Sequence, residues 1–324
     1  GVLTLLVAAV LTLTACAGGA RADFAQQFRG DPAIEEFELT TGDNMPFTDG
    51  VRATVALRED LSDDEATALL SKFSAFVRDH SDEPVQITVR EGTITIPVFG
   101  TESVTLQARE AAFAIATEFG VDSIALSATT DSERISGVSV EVSSDLHTAF
   151  SAARSAPERL LPLTAPAGPH ITVKNADSTV HISGVPGRWL DDAEVSWTLV
   201  SAAVPISGVR AGADEVRFTL ADEADAAEAQ ALIARAESAF QTPITFASPL
   251  VLLGLNGTGD EARLMLSELD DDTRSLILSV WSNDARAEFS VATADDVAGV
   301  EAALATLPAS SRGALEVTVV VSRR

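Results

Sequence analysis

The chain contains a single cysteine, Cys16, and no tyrosine among its 324 residues. A lone cysteine excludes an intrachain disulfide and a thiolate metal cluster, so packing must supply the stability of the fold. Histidine is equally sparse, and His80, His147, His170 and His181 have neither H-x-x-x-H nor H-x-H spacing. Only His170 and His181, which flank one predicted hairpin, could share a sheet face and bind a metal ion. The sequence therefore predicts no metal site and no cofactor.

Basic residues are also scarce. Lys plus Arg total 22 against 48 Asp plus Glu, which gives a net charge of −26 at pH 7. A surface this acidic repels phosphate backbones and anionic lipid headgroups, so nucleic acid is not expected as a partner. Attachment to a membrane would have to come from apolar groups. Arg outnumbers Lys by 20 to two, a bias typical of high-GC Gram-positive coding.

The spacings that mark common catalytic and phosphate sites are missing. The nucleophile-elbow pattern G-x-S-x-G does not occur. The loop Gly254–Gly259 lies between a predicted strand and a predicted helix, but Asp260 follows it where a phosphate-binding loop has Lys. The adjacent carboxylates of Asp270, Asp271 and Asp272 lack the alternate spacing of a calcium loop. We therefore predict turns at both places, and a protein that is not an enzyme.

Tryptophan offers a second kind of candidate contact. Trp189 and Trp197 lie eight residues apart on one predicted helix, and Trp281 ends a predicted strand. Exposed tryptophan in an exported protein can stack on sugar rings, but most tryptophan side chains are highly buried. We interpret all three as core or domain-junction residues.

An uncharged apolar run fills residues 1–15 and ends in Leu13-Thr14-Ala15-Cys16. The run is as long as the apolar region of a secretory signal and shorter than the roughly 20 residues that span a bilayer. Its last four residues resemble the lipobox of bacterial lipoproteins, in which an aliphatic residue and two small residues precede an invariant cysteine. We predict a signal peptide over residues 1–15 and a lipid-anchored tether over residues 16–32.

In the lipoprotein family the cysteine thiol receives a diacylglyceryl group, and the chain is cut before it. The arginine bias indicates a lipoprotein of actinobacterial type. The resemblance implies that Cys16 is the lipid attachment residue and that the protein lies on the extracytoplasmic face of the cell membrane. Each buried CH₂ contributes about 0.8 kcal/mol, and two acyl chains hold stably where one would not. No Met or basic segment precedes the apolar run, which we interpret as a chain start called late or a trimmed fragment. A plain secretory signal and an uncleaved N-terminal helix are the alternatives.

From Val51 onward, strand and helix patterns alternate. Apolar residues recur at every second position over Val51–Leu57, and Ser62 with Glu65 forms a capping box before a helix with one apolar face. Two strands joined at Gly92, a helix that stops at Gly120 and a further strand complete the order β-α-β-β-α-β. This order resembles the ferredoxin-like fold, a split β-α-β unit.

The same order recurs along the chain, without a repeated sequence motif. We predict an α+β fold of tandem ferredoxin-like units with antiparallel sheets, each with two helices on one face and the other face free for a neighbour or ligand. The first unit, with an additional strand near Ile34–Leu39, covers residues 33–130. The second covers residues 131–211, the third 212–282, and a half unit 283–324 ends the chain and could pair with the additional strand.

These observations predict a membrane-anchored extracytoplasmic lipoprotein, a non-enzymatic module that binds or scaffolds an envelope protein or a small ligand. A solute-binding lipoprotein of a transporter is the first alternative, since length and anchor fit, although hairpin-paired strands do not. An envelope hydrolase is the second alternative. It would need a pocket in which carboxylates or histidines converge at perturbed pKa.

Overall fold

The computed structural model describes residues 19–40, 51–129, 133–143, 145–236 and 239–322. It is a mixed α/β structure in which helices and strands alternate, which confirms that the chain combines both kinds of element. The α-helices of the described part are Ala20–Phe28 (α1), Asp63–Asp79 (α2), Glu102–Phe119 (α3), Leu146–Leu160 (α4), Arg188–Ser201 (α5), Ala226–Arg235 (α6), Asp260–Glu268 (α7), Asp271–Ser275 (α8), Ala294–Thr306 (α9) and Ala309–Arg312 (α10).

The β-strands of the same ranges include one at Val51–Leu57, as predicted. They are Ile34–Thr40 (β1), Val51–Leu57 (β2), Val85–Glu91 (β3), Ile94–Val98 (β4), Ser123–Ala128 (β5), Ile135–Glu141 (β6), His170–Lys174 (β7), Val180–Gly184 (β8), Ile206–Ala211 (β9), Val216–Leu220 (β10), Ile244–Ala247 (β11), Val251–Leu253 (β12), Ile277–Ser282 (β13), Arg286–Val291 (β14) and Glu316–Val321 (β15).

The chain divides into two compact units at Ala176, a position inside the second of the predicted units. The first unit contains β1 to β7, which lie side by side in chain order. The second contains β8 to β11, again in chain order, and a separate four-stranded sheet of β12 to β15. The finer subdivision at residues 130, 211 and 282 stays a prediction.

The prediction of antiparallel sheets is wrong, because parallel and antiparallel pairs alternate. Helix α2 connects β2 to β3, and these strands are parallel neighbours with Val51 opposite Val85. A hairpin then makes β4 antiparallel to β3, and α3 leads to β5 parallel to β4. A helical crossover returns the chain to the starting end of the sheet, so the next strand runs in the same direction. In a split β-α-β unit, another strand would lie between the two strands that the helix connects.

The first unit keeps its helices on one face of the sheet. Helix α3 packs against both α2 and α4, and the strands turn apolar residues such as Ile87, Val89 and Ile96 toward this layer. The opposite face, which we call the open face, carries short polar side chains. These are Thr54, Thr88, Thr95, Ser127 and Ser139, which alternate along their strands with buried residues.

The segment predicted as a tether contains helix α1. Phe24 and Phe28 of this helix are buried, at 0% and 1% exposure, and contact Phe73 and Phe76 of α2. Strand β1 pairs with β2 in an antiparallel manner, so the proposed pairing of this strand with the C-terminal half unit is wrong. The C-terminal strand β15 pairs with β14 instead.

The four-stranded sheet of the second unit has its own apolar core. Val280 of β13, Phe289 of β14 and Val251 of β12 are fully buried, together with Met265 of α7 and Val300 of α9. The parallel pairs β12/β13 and β14/β15 flank the antiparallel pair β13/β14. This sheet therefore follows the same crossover-and-hairpin rule as the first unit.

Candidate functional site

A cleft of about 830 Å³ lies among the described residues of the first unit. Its floor is part of the open face, where Arg52 and Thr54 of β2 lie beside Gln86 and Thr88 of β3. The Arg52 Nε donates a hydrogen bond to Gln86 Oε1 at 3.0 Å. These side chains offer guanidinium, amide and hydroxyl groups on the sheet face opposite the described helices of this unit.

The rim of the cleft comes from turns at one end of the sheet. The end of α2 and the turn after it supply Arg78, Asp82 and Glu83, and the loop between β4 and α3 supplies Phe99 and Thr101. Glu133 closes the rim from the segment before β6. Charges of both signs line the cleft, so it does not select ligands by net charge alone.

Two of the rim carboxylates are occupied by helix N-termini. Glu83 Oε2 accepts a hydrogen bond from Ala20 N of α1 at 2.9 Å. Glu133 accepts from Thr101 N at 2.8 Å and from Thr101 Oγ1 at 2.5 Å, at the start of α3. Negative charge at a helix N-terminus complements the helix dipole. These carboxylates therefore anchor the first turns of α1 and α3.

We expect Glu133→Ala to lower the free energy of unfolding by about 1 kcal/mol, the usual cost of a lost helix cap. The reason is that the Thr101 side chain makes no cap of its own at α3, and Glu133 supplies it. Urea denaturation followed by circular dichroism measures the change. The matched control is Glu110→Ala on the exposed surface of the same helix, for which a change within about 0.5 kcal/mol is expected. Equal effects for both variants would contradict the capping role.

Arg109 makes the most extensive ion-pair network near the cleft's helices. Its Nε and Nη2 donate to both oxygens of Glu91 at 2.7 Å, and its Nη1 donates to Asp63 at 2.6 Å. These bonds, the pair with Glu91 first, raise the pKa of Arg109. The guanidinium thus ties the hairpin between β3 and β4 to the N-terminal turn of α2 and to α3.

Perturbed carboxylates elsewhere lie at helix N-termini, except Asp60, which pairs with Arg58 in the turn after β2. Hydrogen bonds from Arg58, Ser62, Thr148 and Thr273 lower the pKa of Asp60, Glu65, Asp145 and Asp270, respectively. The capping box predicted at Ser62 and Glu65 is present, with both reciprocal bonds. Asp270 is the N-cap of α8 and accepts from Thr273 N at 2.8 Å, so the run of three aspartates begins a short helix.

His80 belongs to the contact between α1 and α2. Its ring stacks on Phe76 with centroids 4.1 Å apart, and its Nε2 lies 3.4 Å from Asp23 Oδ2 of α1. Burial lowers the pKa of His80, but the carbonyl of Phe76 and the carboxylate of Asp23 outweigh it and raise that pKa overall.

Asp192 of α5 is the buried carboxylate of the second unit. Its side chain is 3% exposed, and its Oδ2 accepts hydrogen bonds from Gln241 N and Thr242 N, both at 3.0 Å. Arg188 Nε lies 3.3 Å from its Oδ1. Burial alone would raise the pKa of Asp192, but these donors lower it. The group therefore anchors the segment before β11 to α5.

The glycine-rich loop at Gly254–Gly259 is a structural turn, as predicted. Arg217 of β10 donates to the carbonyls of Leu253 and Gly254 at 2.7 and 2.8 Å. Asp260 accepts from Gln230 Nε2 at 2.7 Å. A Cβ on Gly254 would lie 2.4 Å from the Trp281 ring, so glycine is needed for this close approach. The loop turns carbonyls toward Arg217 and packs closely on β13.

The three tryptophans differ in exposure. Trp189 is buried at 5% and donates its indole N–H to the Val185 carbonyl at 2.8 Å. Trp197 is half-buried. Trp281 is 37% exposed, which excludes a fully buried core position, and its ring lies over Gly254 beside the exposed Leu252 of β12. Its assignment to a domain junction stays a prediction.

Cys16, the predicted lipid attachment residue, lies outside the described residues, as do the predicted signal peptide and the residues that resemble a lipobox. Over residues 19–322 as far as they are described, no cluster of three His, Cys, Asp or Glu side chains could hold a metal ion. In the same ranges, no helix is both long and apolar enough to cross a membrane. No protein-family model matches the chain, and no curated protein is significantly similar to it.

The cleft residues were missed by the sequence reasoning. The alternating polarity of β2 could have identified Arg52 and Thr54, because it places both on the sheet face opposite the described helices. Glu83 and Glu133 gave no such signal, since each reaches its helix N-terminus from a turn distant in the sequence.

Proposed function

We propose that this protein is a lipid-anchored lipoprotein of the extracytoplasmic membrane face that works as a non-enzymatic binding or scaffolding module. The observation that carries the proposal is the sequence Leu13-Thr14-Ala15-Cys16 at the end of an uncharged apolar run. Membrane attachment through acyl chains is compatible with the net charge of −26, which would oppose electrostatic attachment to anionic lipid.

The binding role is supported by the open-face cleft. Its floor presents Arg52, Gln86 and Thr88, groups that hydrogen-bond a polar small molecule or the surface of an envelope protein. Glu83 and Glu133 are held by backbone N–H groups, which favours binding over hydrolysis. Of the two alternatives, the cleft thus favours a solute-binding lipoprotein over an envelope hydrolase. The ferredoxin-like resemblance enters this proposal only as an order of elements.

The position of α1 refines the topology. Helix α1 begins at Ala20 and is packed against α2, so only three residues lie between its first residue and Cys16, a span of four Cα–Cα steps. A fully extended chain covers at most about 3.6 Å per residue, or about 14 Å here. With lipid on Cys16, the first unit would lie at the membrane surface instead of at the end of a long tether.

The test compares the full chain, expressed in a bacterium with lipoprotein processing, with its Cys16→Ala variant. We expect the wild-type chain in the membrane fraction with a lipid-modified Cys16 at its N-terminus by intact mass. The Cys16→Ala variant is expected to lack the modification and to leave the membrane fraction. Thr14→Ala is the matched control, because it preserves the pattern of small residues and should behave as wild type.

An opposite result has a clear meaning. If Cys16→Ala partitions with the membrane as the wild type does, and the masses differ only by the substitution, Cys16 carries no lipid. The chain would then be a secreted protein or one anchored by its N-terminal helix.

A further inference from the structure

The free edges of the sheets are protected to different degrees. Strand β1, at one edge of the first unit, carries Glu35, Glu36 and Glu38, and its register with β2 is irregular between Ile34 and Glu36. Charges and bulges of this kind prevent an edge strand from pairing with another chain. Strand β12, at one edge of the four-stranded sheet, has only three residues.

Strand β15, at the other edge of that sheet, lacks these devices. Its sequence is Glu-Val-Thr-Val-Val-Val, so five of its six residues are β-branched and one is charged. It pairs in regular register with β14 over Glu316–Val321. Val321 is 41% exposed, and Val317 to Val320 are half-buried. A regular apolar edge of this length is open to pairing with another strand.

The hydrogen bonds of β15 identify its outward backbone groups. Glu316 N donates to Ala285 O at 2.8 Å, and Ser322 N donates to Val291 O at 2.9 Å. The even-numbered residues therefore bond to β14, and Val317, Val319 and Val321 direct their N–H and C=O groups away from the sheet. No hydrogen bond between described residues satisfies these outward groups.

We propose that β15 pairs antiparallel with β15 of a second copy, about a two-fold axis at Val319. The three outward residues are symmetric about Val319, so Val319 faces its own counterpart and Val317 faces Val321. In an antiparallel ladder such facing residues exchange both hydrogen bonds. The pairing would join two four-stranded sheets into one.

The side chains also favour a second copy as the occupant. In this register valine faces valine on one side of the sheet, and Thr318 faces Val320 on the other. The only charge of the strand, Glu316, faces Ser322 and lies 3.5 Å from Arg286 within its own chain. No like charges face each other within the two paired strands, although each chain carries a net charge of −26. A self-complementary patch of this kind is the requirement for a two-fold dimer.

The test uses single cysteines in the full chain with Cys16→Ala, kept in a mild detergent that covers its apolar N-terminal run. Mild oxidation of Val319→Cys is expected to give a disulfide-linked dimer, because Cα atoms of such a facing pair lie about 5.5 Å apart. Val317→Cys alone is expected to stay uncross-linked, since its counterpart lies more than about 13 Å away along the strand. A mixture of Val317→Cys and Val321→Cys chains should cross-link.

Sedimentation velocity gives a second readout. The Cys16→Ala chain is expected to be dimeric and its Val319→Pro variant monomeric, because proline removes only an outward N–H and leaves the bonds to β14 intact. Circular dichroism checks that the variant is folded. A monomeric parent chain, or cross-linking that is as efficient through Cys at position 317 alone as at 319, would overturn the proposal.

Discussion

Replacing Phe24 by alanine is expected to lower the free energy of unfolding by about 3–5 kcal/mol, the range for a large aromatic side chain removed from a core. Phe24 is fully buried. Its ring centroid lies 4.7 Å from that of Phe28 and 5.3 Å from that of Phe76. No other side chain of α1 could fill the resulting cavity without moving the helix.

The measurement is urea denaturation of the Cys16→Ala chain with and without Phe24→Ala, followed by circular dichroism. Gln27→Ala is the matched control, because Gln27 lies on the exposed side of the same helix and alanine is a good helix former. If Phe24→Ala is as stable as this control, α1 does not belong to the core and residues 16–32 act as the tether that the sequence suggested.

The α1 segment shows why a short amphipathic helix escapes sequence reasoning. Ala20, Phe24 and Phe28 recur at spacings of four, which is the helical pattern. Small and polar residues surround them, however, and this composition predicts a linker. The segment packs as a helix because of the surface of α2, where Phe73 and Phe76 complete an aromatic cluster. That surface is more than forty residues further along the chain, so the sequence around α1 does not reveal it.

Elements with strong local signals were predictable. Helix α3, Glu102–Phe119, ends at Gly120 as predicted, and the φ of +56° at Gly120 lies in the left-handed region that glycine tolerates. Helix α4 continues to Leu160 although Pro157 lies inside it. Packing of the buried Ala156 and Leu160 prevails over the local preference of proline to end a helix.

The neighbours of each strand could not be deduced from the same signals. The order β-α-β-β-α-β is common to a split unit and to a chain of crossovers between adjacent strands. In a split unit, another strand occupies the position beside β2. In a chain of crossovers between adjacent strands, β3 itself occupies that position, as it does here. Alternating polarity identifies the buried face of each strand, but it does not identify the strand on either side.

The site was predictable only in part, for a similar reason. Arg52 and Thr54 lie on the polar phase of β2, so their exposure on an uncovered face follows from the sequence. The cleft also requires the turns that carry Glu83 and Glu133, and their positions are set by helix N-termini in distant parts of the chain. Tertiary contacts, not motifs, thus define the only surface of the first unit for which we propose a binding role.

Asp192→Ala is expected to cost about 3 kcal/mol or more of the free energy of unfolding. A hydrogen bond to a charged group contributes about 1.5–3 kcal/mol, and Asp192 accepts one from Gln241 N and another from Thr242 N. The substitution would leave the N–H of Thr242, a residue only 7% exposed, without its acceptor.

The pH dependence of the unfolding free energy tests whether Asp192 stabilises the fold by its charge or only by its packing. Because the folded-state pKa of Asp192 is lowered, its ionised form stabilises the fold fully above the ordinary aspartate pKa of about 3.9, and this stabilisation is lost as the pH falls through the folded-state pKa. The difference in unfolding free energy between wild type and Asp192→Ala should be constant near neutral pH and should narrow below about pH 4. Urea titrations between neutral and acidic pH measure it, with Glu301→Ala on the exposed surface of α9 as control. A difference that stays the same throughout would mean that packing, and not the carboxylate charge, holds the segment before β11 to α5.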